Sequence, residues 1–68
     1  MTPERRHELY WLGYRAGVRL AEHDPQVYNE AGLKLNLIFA GNGRGRPFAL
    51  GELRGYRQAL NLPNPARR

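Results

Sequence analysis

The chain has 68 residues, no cysteine and a formal charge of +5, which excludes a disulfide framework, a second domain and a large buried core. All of the excess positive charge falls after residue 34, where six arginines are opposed by Glu52 alone. This asymmetry predicts an interaction surface for a polyanion. No stretch is typical of a secretory signal or of a membrane span, so we expect a cytoplasmic protein that contacts no membrane.

A first helix is predicted from the third residue to His23. Thr2 is a favoured N-cap and Pro3 suits the first helical position, whereas Asp24-Pro25 ends the helix. Spacings of three and four residues define a wide apolar face that includes His7, Trp11, Tyr14, Val18 and Ala21. We expect this face to pack in the core and the charged residues of the helix to face solvent.

The segment from Pro25 to Ala40 fits two periodicities. Helical spacing connects Val27, Ala31, Leu35 and Ile38. The alternation of a strand connects Leu33, Leu35 and Leu37. A helix would complete a three-helix unit, whereas a strand at residues 33–39 would have to pair with a second copy of the chain. We favour the all-α three-helix fold and keep an α+β dimer as the alternative.

A Gly/Arg-rich loop is predicted between the second and third helices, from Gly41 to Pro47, because glycine and Asn-Gly favour turns. The last helix is expected to open at Phe48, or in the turn after Pro47, and to end at the Asn61–Pro65 segment. Its apolar stripe consists of Ala49, Leu53, Tyr56 and Leu60. Residues 1–62 are therefore expected to form one helical domain, followed by a basic Pro/Arg tail at residues 63–68.

The residue types that carry catalysis are nearly absent. The chain has no serine or cysteine, and its single threonine is Thr2. The two histidines, His7 and His23, lie some four turns apart on one predicted helix, too far apart to share a metal ion. We therefore predict a protein that is not an enzyme and that holds neither a metal ion nor a cofactor.

The second half of the sequence supplies the predicted binding residues. Two arginines lie in the loop, two lie one turn apart on the last helix, and two lie in the tail, which predicts one basic patch. Such a patch contacts phosphates and does not read base sequence. We therefore expect a small nucleic-acid-binding protein that contacts RNA or DNA through Arg44, Arg46, Arg54, Arg57, Arg67 and Arg68.

The Arg44-Gly45-Arg46-Pro47 run resembles the core of the AT-hook family. In that family a flat Arg-Gly-Arg-Pro segment lies in the minor groove of A·T-rich DNA. The physical basis is the strongly negative potential of a narrow minor groove, which attracts arginine. The resemblance implies DNA contacts at Arg44 and Arg46.

The first and last helices share a Gly-Tyr-Arg sequence, at residues 13–15 and 55–57. We interpret each glycine as a point where another helix approaches closely beside an aromatic side chain. The longer runs at residues 13–17 and 55–59 resemble the two helical signatures of ribosome modulation factor, a family of small basic RNA-binding proteins. The resemblance implies RNA contacts at Arg15, Arg54 and Arg57, with Tyr14 and Tyr56 either packing or stacking.

A second function class stays open, because aromatic and arginine residues also anchor protein interfaces. The chain would then be an inhibitor or adaptor of the type that phage and plasmid genes encode, docking on an acidic surface of a host protein. Its interface residues would be Tyr10, Trp11 and Tyr14. Exposure of Tyr10 and Trp11 together would favour this alternative, and the wide apolar face also makes a homodimer plausible.

Overall fold

The computed structural model describes residues 2–60, which form three helices: α1 (Pro3–His23), α2 (Asn29–Ala40) and α3 (Arg46–Ala59). The predicted all-α three-helix fold is confirmed. The alternative strand at residues 33–39 is wrong, because this segment lies inside α2 and residues 2–60 contain no strand. The predicted tail at residues 63–68 lies outside the described part of the chain.

The boundaries of α1 are those that the sequence predicts. The Oγ1 atom of Thr2 accepts a hydrogen bond of 3.1 Å from the backbone N–H of Arg5, which satisfies one of the free donors of the first turn. At the other end, the Asp24 N–H donates to the carbonyl oxygen of Leu20 at 2.8 Å.

The other two helices begin at different positions from those predicted. The Asp24 carbonyl accepts hydrogen bonds from the Gln26 backbone and from the Asn29 side chain, and this turn delays the start of α2 to Asn29. Helix α3 begins at Arg46 rather than at Phe48, because Pro47 fits a first helical turn, where its missing N–H is not needed. Arg46 and Pro47 therefore belong to α3 and not to the loop.

Two glycines of α1 press directly on the backbone of α3. A Cβ atom built at Gly13 would overlap the carbonyl oxygen of Phe48, and one built at Gly17 would overlap that of Glu52. The contacted positions rise together along the two helices. Helices α1 and α3 are therefore parallel, and their backbones lie closer than any side chain would allow.

Two glycines of α3 make the reciprocal contact. A Cβ atom at Gly51 would overlap the carbonyl oxygen of Tyr10, and one at Gly55 would overlap that of Tyr14. The close approach that we inferred from the Gly-Tyr-Arg sequences is thus present at Gly55, and its counterpart on α1 is present at Gly13. Sequence analysis did not single out Gly17 or Gly51 as contact points. Each lies one turn from a predicted glycine on the same helix, Gly17 from Gly13 and Gly51 from Gly55.

The side-chain core lies toward the end of the molecule where α1 and α3 finish. Its buried members are Ala21, Leu33 and Tyr56, and three leucines pack around them: Leu20, Leu53 and Leu60. Tyr56 is 1% exposed, and its hydroxyl donates to the Gln26 carbonyl oxygen at 2.9 Å. Helix α2 is antiparallel to α3. An ion pair between Glu30, in the first turn of α2, and Arg57 of α3 connects the two helices.

The apolar face of α1 that we expected in the core is largely outside it. Ala21 is buried, but His7 is exposed and Trp11 is 43% exposed. The reason is the glycine contact, which draws α3 onto the neighbouring side of α1. Helix α1 therefore buries its smallest residues and leaves much of its aromatic side in solvent.

Candidate nucleic-acid interface

A groove opens at the end of the molecule where α1 and α3 begin. Its volume is about 700 Å³. Helix α1 contributes Arg6 and Tyr10, and the loop with the start of α3 contributes Asn42, Gly43, Arg44, Arg46, Pro47 and Leu50. Three of these eight described residues are arginines and none is acidic, so the groove is strongly basic.

Backbone electrostatics add to the charge of the groove. Because α1 and α3 are parallel, the positive ends of both helix dipoles point toward this end of the molecule. In residues 2–60 the ion pairs are Arg5–Glu8 and Arg57–Glu30, so no described carboxylate pairs with the groove arginines. The Arg46 guanidinium instead donates to the Gly41 carbonyl oxygen at 3.3 Å.

The structure brings together part of the predicted arginine set. Arg44 and Arg46 line the groove. Arg54 is exposed on α3, and its spacing of four from Leu50 places it on the same side of the helix, one turn beyond the groove. Arg57 lies apart, because its guanidinium pairs with Glu30. Arg67 and Arg68 lie outside the described residues.

Arg6 is the groove residue that sequence analysis missed. It lies in the first half of the sequence, where basic and acidic residues balance, so charge asymmetry does not point to it. A helical pattern pointed to its position, because Arg6, Tyr10, Gly13 and Gly17 recur at spacings of four and three along one side of α1. That pattern places Arg6 next to α3 only once Gly13 and Gly17 are known to contact α3.

The predicted aromatic interface residues form one cluster beside the groove. The Trp11 ring centroid lies 5.1 Å from those of Tyr10 and Tyr14, and the Trp11 indole N–H donates to His7 Nε2 at 3.0 Å. Trp11 is the exposed member, whereas Tyr10 and Tyr14 are half-buried. Tyr10 also lines the groove, so an aromatic surface borders the basic one.

The residues that carry the ribosome modulation factor and AT-hook resemblances differ in whether they can contact a nucleic acid. Tyr56 is buried, so it packs and cannot stack on a base, whereas Arg15 is exposed on α1. Gly45 has φ −78° and ψ −10°, and Arg46 and Pro47 are helical. A flat Arg-Gly-Arg-Pro segment would therefore require the first turn of α3 to unwind.

Comparisons with known protein families, with curated proteins and with solved structures find no match to this chain. The described residues 2–60 hold no cluster of three metal-ligating side chains. None of the helices in this range is long and apolar enough to cross a membrane.

The burial of Glu52, the sole acidic residue after residue 34, is expected to make the stability of the protein depend on pH. Partial burial raises the pKa of its carboxyl above the ordinary value of 4.5, because desolvation disfavours the charged form. The contribution of the protonated Glu52 carboxyl to stability is therefore complete below pH 4.5 and is lost as pH rises through the raised pKa. We expect Glu52→Gln to raise the melting temperature at pH 7 and to leave it unchanged in acid, with Glu22→Gln on the exposed face of α1 as the control.

Proposed function

We propose that the protein binds the phosphate backbone of RNA or DNA in the groove between the starts of α1 and α3. The observation that carries this proposal is the convergence of Arg6, Arg44 and Arg46 on one concave surface. These arginines come from two helices and a loop, and no described acidic residue lines the groove. A guanidinium donates to phosphate oxygens through a rigid fork of N–H groups, which suits it to this ligand.

The border between basic and aromatic residues further supports a nucleic acid as the ligand. Proteins that bind single strands combine a positive groove for the backbone with aromatic rings on which bases stack. Tyr10 lies in the groove, and Trp11 lies beside it with part of its ring in solvent. The arrangement supplies affinity without base-specific readout, so we expect weak dependence on nucleotide sequence.

Salt dependence tests the proposal directly. We expect binding to a labelled duplex DNA or a structured RNA to weaken steeply with salt, with a slope of log affinity against log salt of about −0.9 per phosphate contact on duplex DNA. The triple variant Arg6→Ala/Arg44→Ala/Arg46→Ala removes the three groove charges. It should reduce the magnitude of this slope by about three, since each lost contact contributes about one. Fluorescence anisotropy across a salt series measures both the affinity and its slope against salt.

The matched control removes three exposed cations outside the groove, as Arg15→Ala/Arg19→Ala/Lys34→Ala. This variant has the same net charge as the groove variant and should keep most of the affinity. Equal losses in both variants would show that the whole charge attracts the ligand and would contradict the groove. A greater loss in the control would move the contact to α1, where the ribosome modulation factor resemblance implies Arg15.

A protein-binding inhibitor or adaptor is the second candidate. The exposure of Trp11 and Leu12 on α1 favours it, since a tryptophan that projects into solvent is a frequent anchor of protein interfaces. Tyr10 is half-buried rather than exposed, so the predicted condition for this function is met in part. Absence of binding to RNA and DNA at low salt would favour this candidate over the nucleic-acid proposal.

A further inference from the structure

The outward side of α2 is apolar and lies in solvent. Its large side chains are Tyr28 at the N-cap (69% exposed), Leu35 (50%), Ile38 (68%) and Phe39 (80%). Tyr28, Ile38 and Phe39 lie seven, three and four residues from Leu35, which places all four on one side of the helix. The opposite side carries Leu33, which is buried in the core. We call the exposed set the α2 face.

The α2 face is large enough to be an interface. A helix that is apolar on both sides is normally buried on both sides. The two aromatic and two aliphatic side chains leave on the order of 600 Å² in water, since a single aromatic residue can bury roughly 150–250 Å². A stable interface buries about 800 Å² per partner. The face therefore supplies most of the area that a dimer needs, and the adjacent Val27, which is also exposed, adds to it.

We propose that the α2 face binds the α2 face of a second copy of the chain, with the two helices antiparallel about a two-fold axis at Leu35. The two ends of the face differ in size. Ala31 and Gly32 are small and lie toward the start of α2, whereas Ile38 and Phe39 are large and lie toward its end. A two-fold axis brings the large end of each copy against the small end of the other.

The register of this pairing follows from the position of the axis. An axis at Leu35 places Phe39 of one copy opposite Ala31 of the other, and Ile38 opposite Gly32. Apart from its chain neighbours and the backbone of its own helix, no described atom lies within 4 Å of a Cβ atom built at Gly32, so the space that Ile38 would fill is open. The face is thus complementary to itself in the antiparallel orientation.

Charge on α2 permits the pairing, although each copy carries +5. The charged residues of α2 are Glu30 and Lys34, so the helix is neutral, and Glu30 already pairs with Arg57. Helices that bind lipid surfaces carry several basic residues along their polar side, whereas α2 has Lys34 alone. Salt should strengthen the dimer by screening repulsion between the two copies, and it should weaken nucleic-acid binding. The opposite signs separate this inference from the proposed function.

Sedimentation velocity of the full chain over a concentration series tests the proposal. We expect a dimer that is favoured by high salt, and we expect Phe39→Glu to convert it to a monomer with unchanged helix content by circular dichroism. Phe39 is mostly in solvent, so its replacement leaves the core intact. The matched control is Leu12→Glu, which makes the same charge change at an exposed apolar residue of α1 and should remain dimeric.

A cross-linking experiment tests the register, because the chain has no cysteine of its own. Helices of radius about 2.3 Å at an axis separation of 8–10 Å would bring the two Leu35 Cα atoms to roughly 3.4–5.4 Å, a range that overlaps the roughly 4.4–6.8 Å of disulfides. Leu35→Cys should therefore form a disulfide-linked dimer under mild oxidation, whereas Leu12→Cys should not.

Three results would overturn the proposal. These are a monomer at every concentration and salt, a dimer that persists in Phe39→Glu, and equal cross-linking of Leu35→Cys and Leu12→Cys. The Phe39→Glu variant is also expected to bind nucleic acid in low salt, because the groove lies outside the α2 face. A failure of the dimer therefore leaves the groove proposal standing, and the reverse also holds.

Discussion

Gly17→Ala is expected to abolish the cooperative folding of the chain. The added methyl would overlap the backbone of Glu52 and Tyr56, and a backbone cannot move aside as a flexible side chain can. Overpacking costs about 1–3 kcal/mol and sometimes more, and we expect the upper end or beyond because α1 and α3 must separate. A domain of this length has only about 3–10 kcal/mol of stability. Thermal unfolding followed by circular dichroism should show a broad transition at low temperature.

Gly32→Ala is the matched control for this result. Gly32 is also a helical glycine, but apart from its chain neighbours and the backbone of its own helix no described atom lies within 4 Å of its Cβ position. In the monomer, alanine there should stabilise α2 by about 0.5–1 kcal/mol through helix propensity. Equal effects of the two substitutions would show that the glycine contact between α1 and α3 is absent in solution.

Tyr56→Ala is the second substitution expected to have a large effect. Tyr56 is the most buried large side chain in residues 2–60, and truncation of a buried aromatic residue costs about 3–5 kcal/mol. Tyr56→Phe keeps the ring and loses the hydrogen bond to the Gln26 carbonyl, which should cost about 1 kcal/mol. Chemical denaturation monitored by Trp11 fluorescence measures both free energies of unfolding.

The difference between the two Tyr56 variants identifies the role of the ring. A similar cost for Tyr56→Ala and Tyr56→Phe would mean that the hydroxyl contributes most of the stability and that the core is loosely packed. Unchanged stability in both variants would contradict the burial of Tyr56 and would restore base stacking as its function.

The extent of α1 was predictable from its sequence because its end signals are local. Thr2, Pro3 and the Asp24-Pro25 pair act on their immediate neighbours, and the helix has the bounds that they indicate. The start of α2 was not predictable in the same way, because the Asn29 side chain bonds back to the Asp24 carbonyl. A bond of this kind does not appear in hydrophobic periodicity.

The composition of the core was harder to predict than its location on helices. Periodicity favours large apolar residues, so it selected the side of α1 that contains Trp11. The structure uses the neighbouring side, where Gly13 and Gly17 allow the backbone of α3 to approach. A rule based on side-chain hydrophobicity assigns no packing value to glycine, although glycine decides this contact.

Only part of the candidate site could be predicted from the sequence. Arg44 in the loop and Arg46 at the start of α3 could be predicted, because they are close in sequence and lie in the half of the chain that carries the excess charge. Arg6 required the parallel arrangement of α1 and α3, which no local pattern specifies. The loss of Arg57 to Glu30 likewise depends on how α2 packs.

The parallel contact between α1 and α3 also constrains the order of events during synthesis. It joins α1 to α3, the first and third helices of residues 2–60, so its two halves cannot meet until α3 has been made. Until then α1 lacks the partner for its glycine side, and most of the stability of a helix in a protein comes from tertiary packing. Helix α2 cannot replace that partner, because the side chain at the centre of the core, Tyr56, belongs to α3. The nascent chain is therefore expected to stay open to proteases until α3 emerges.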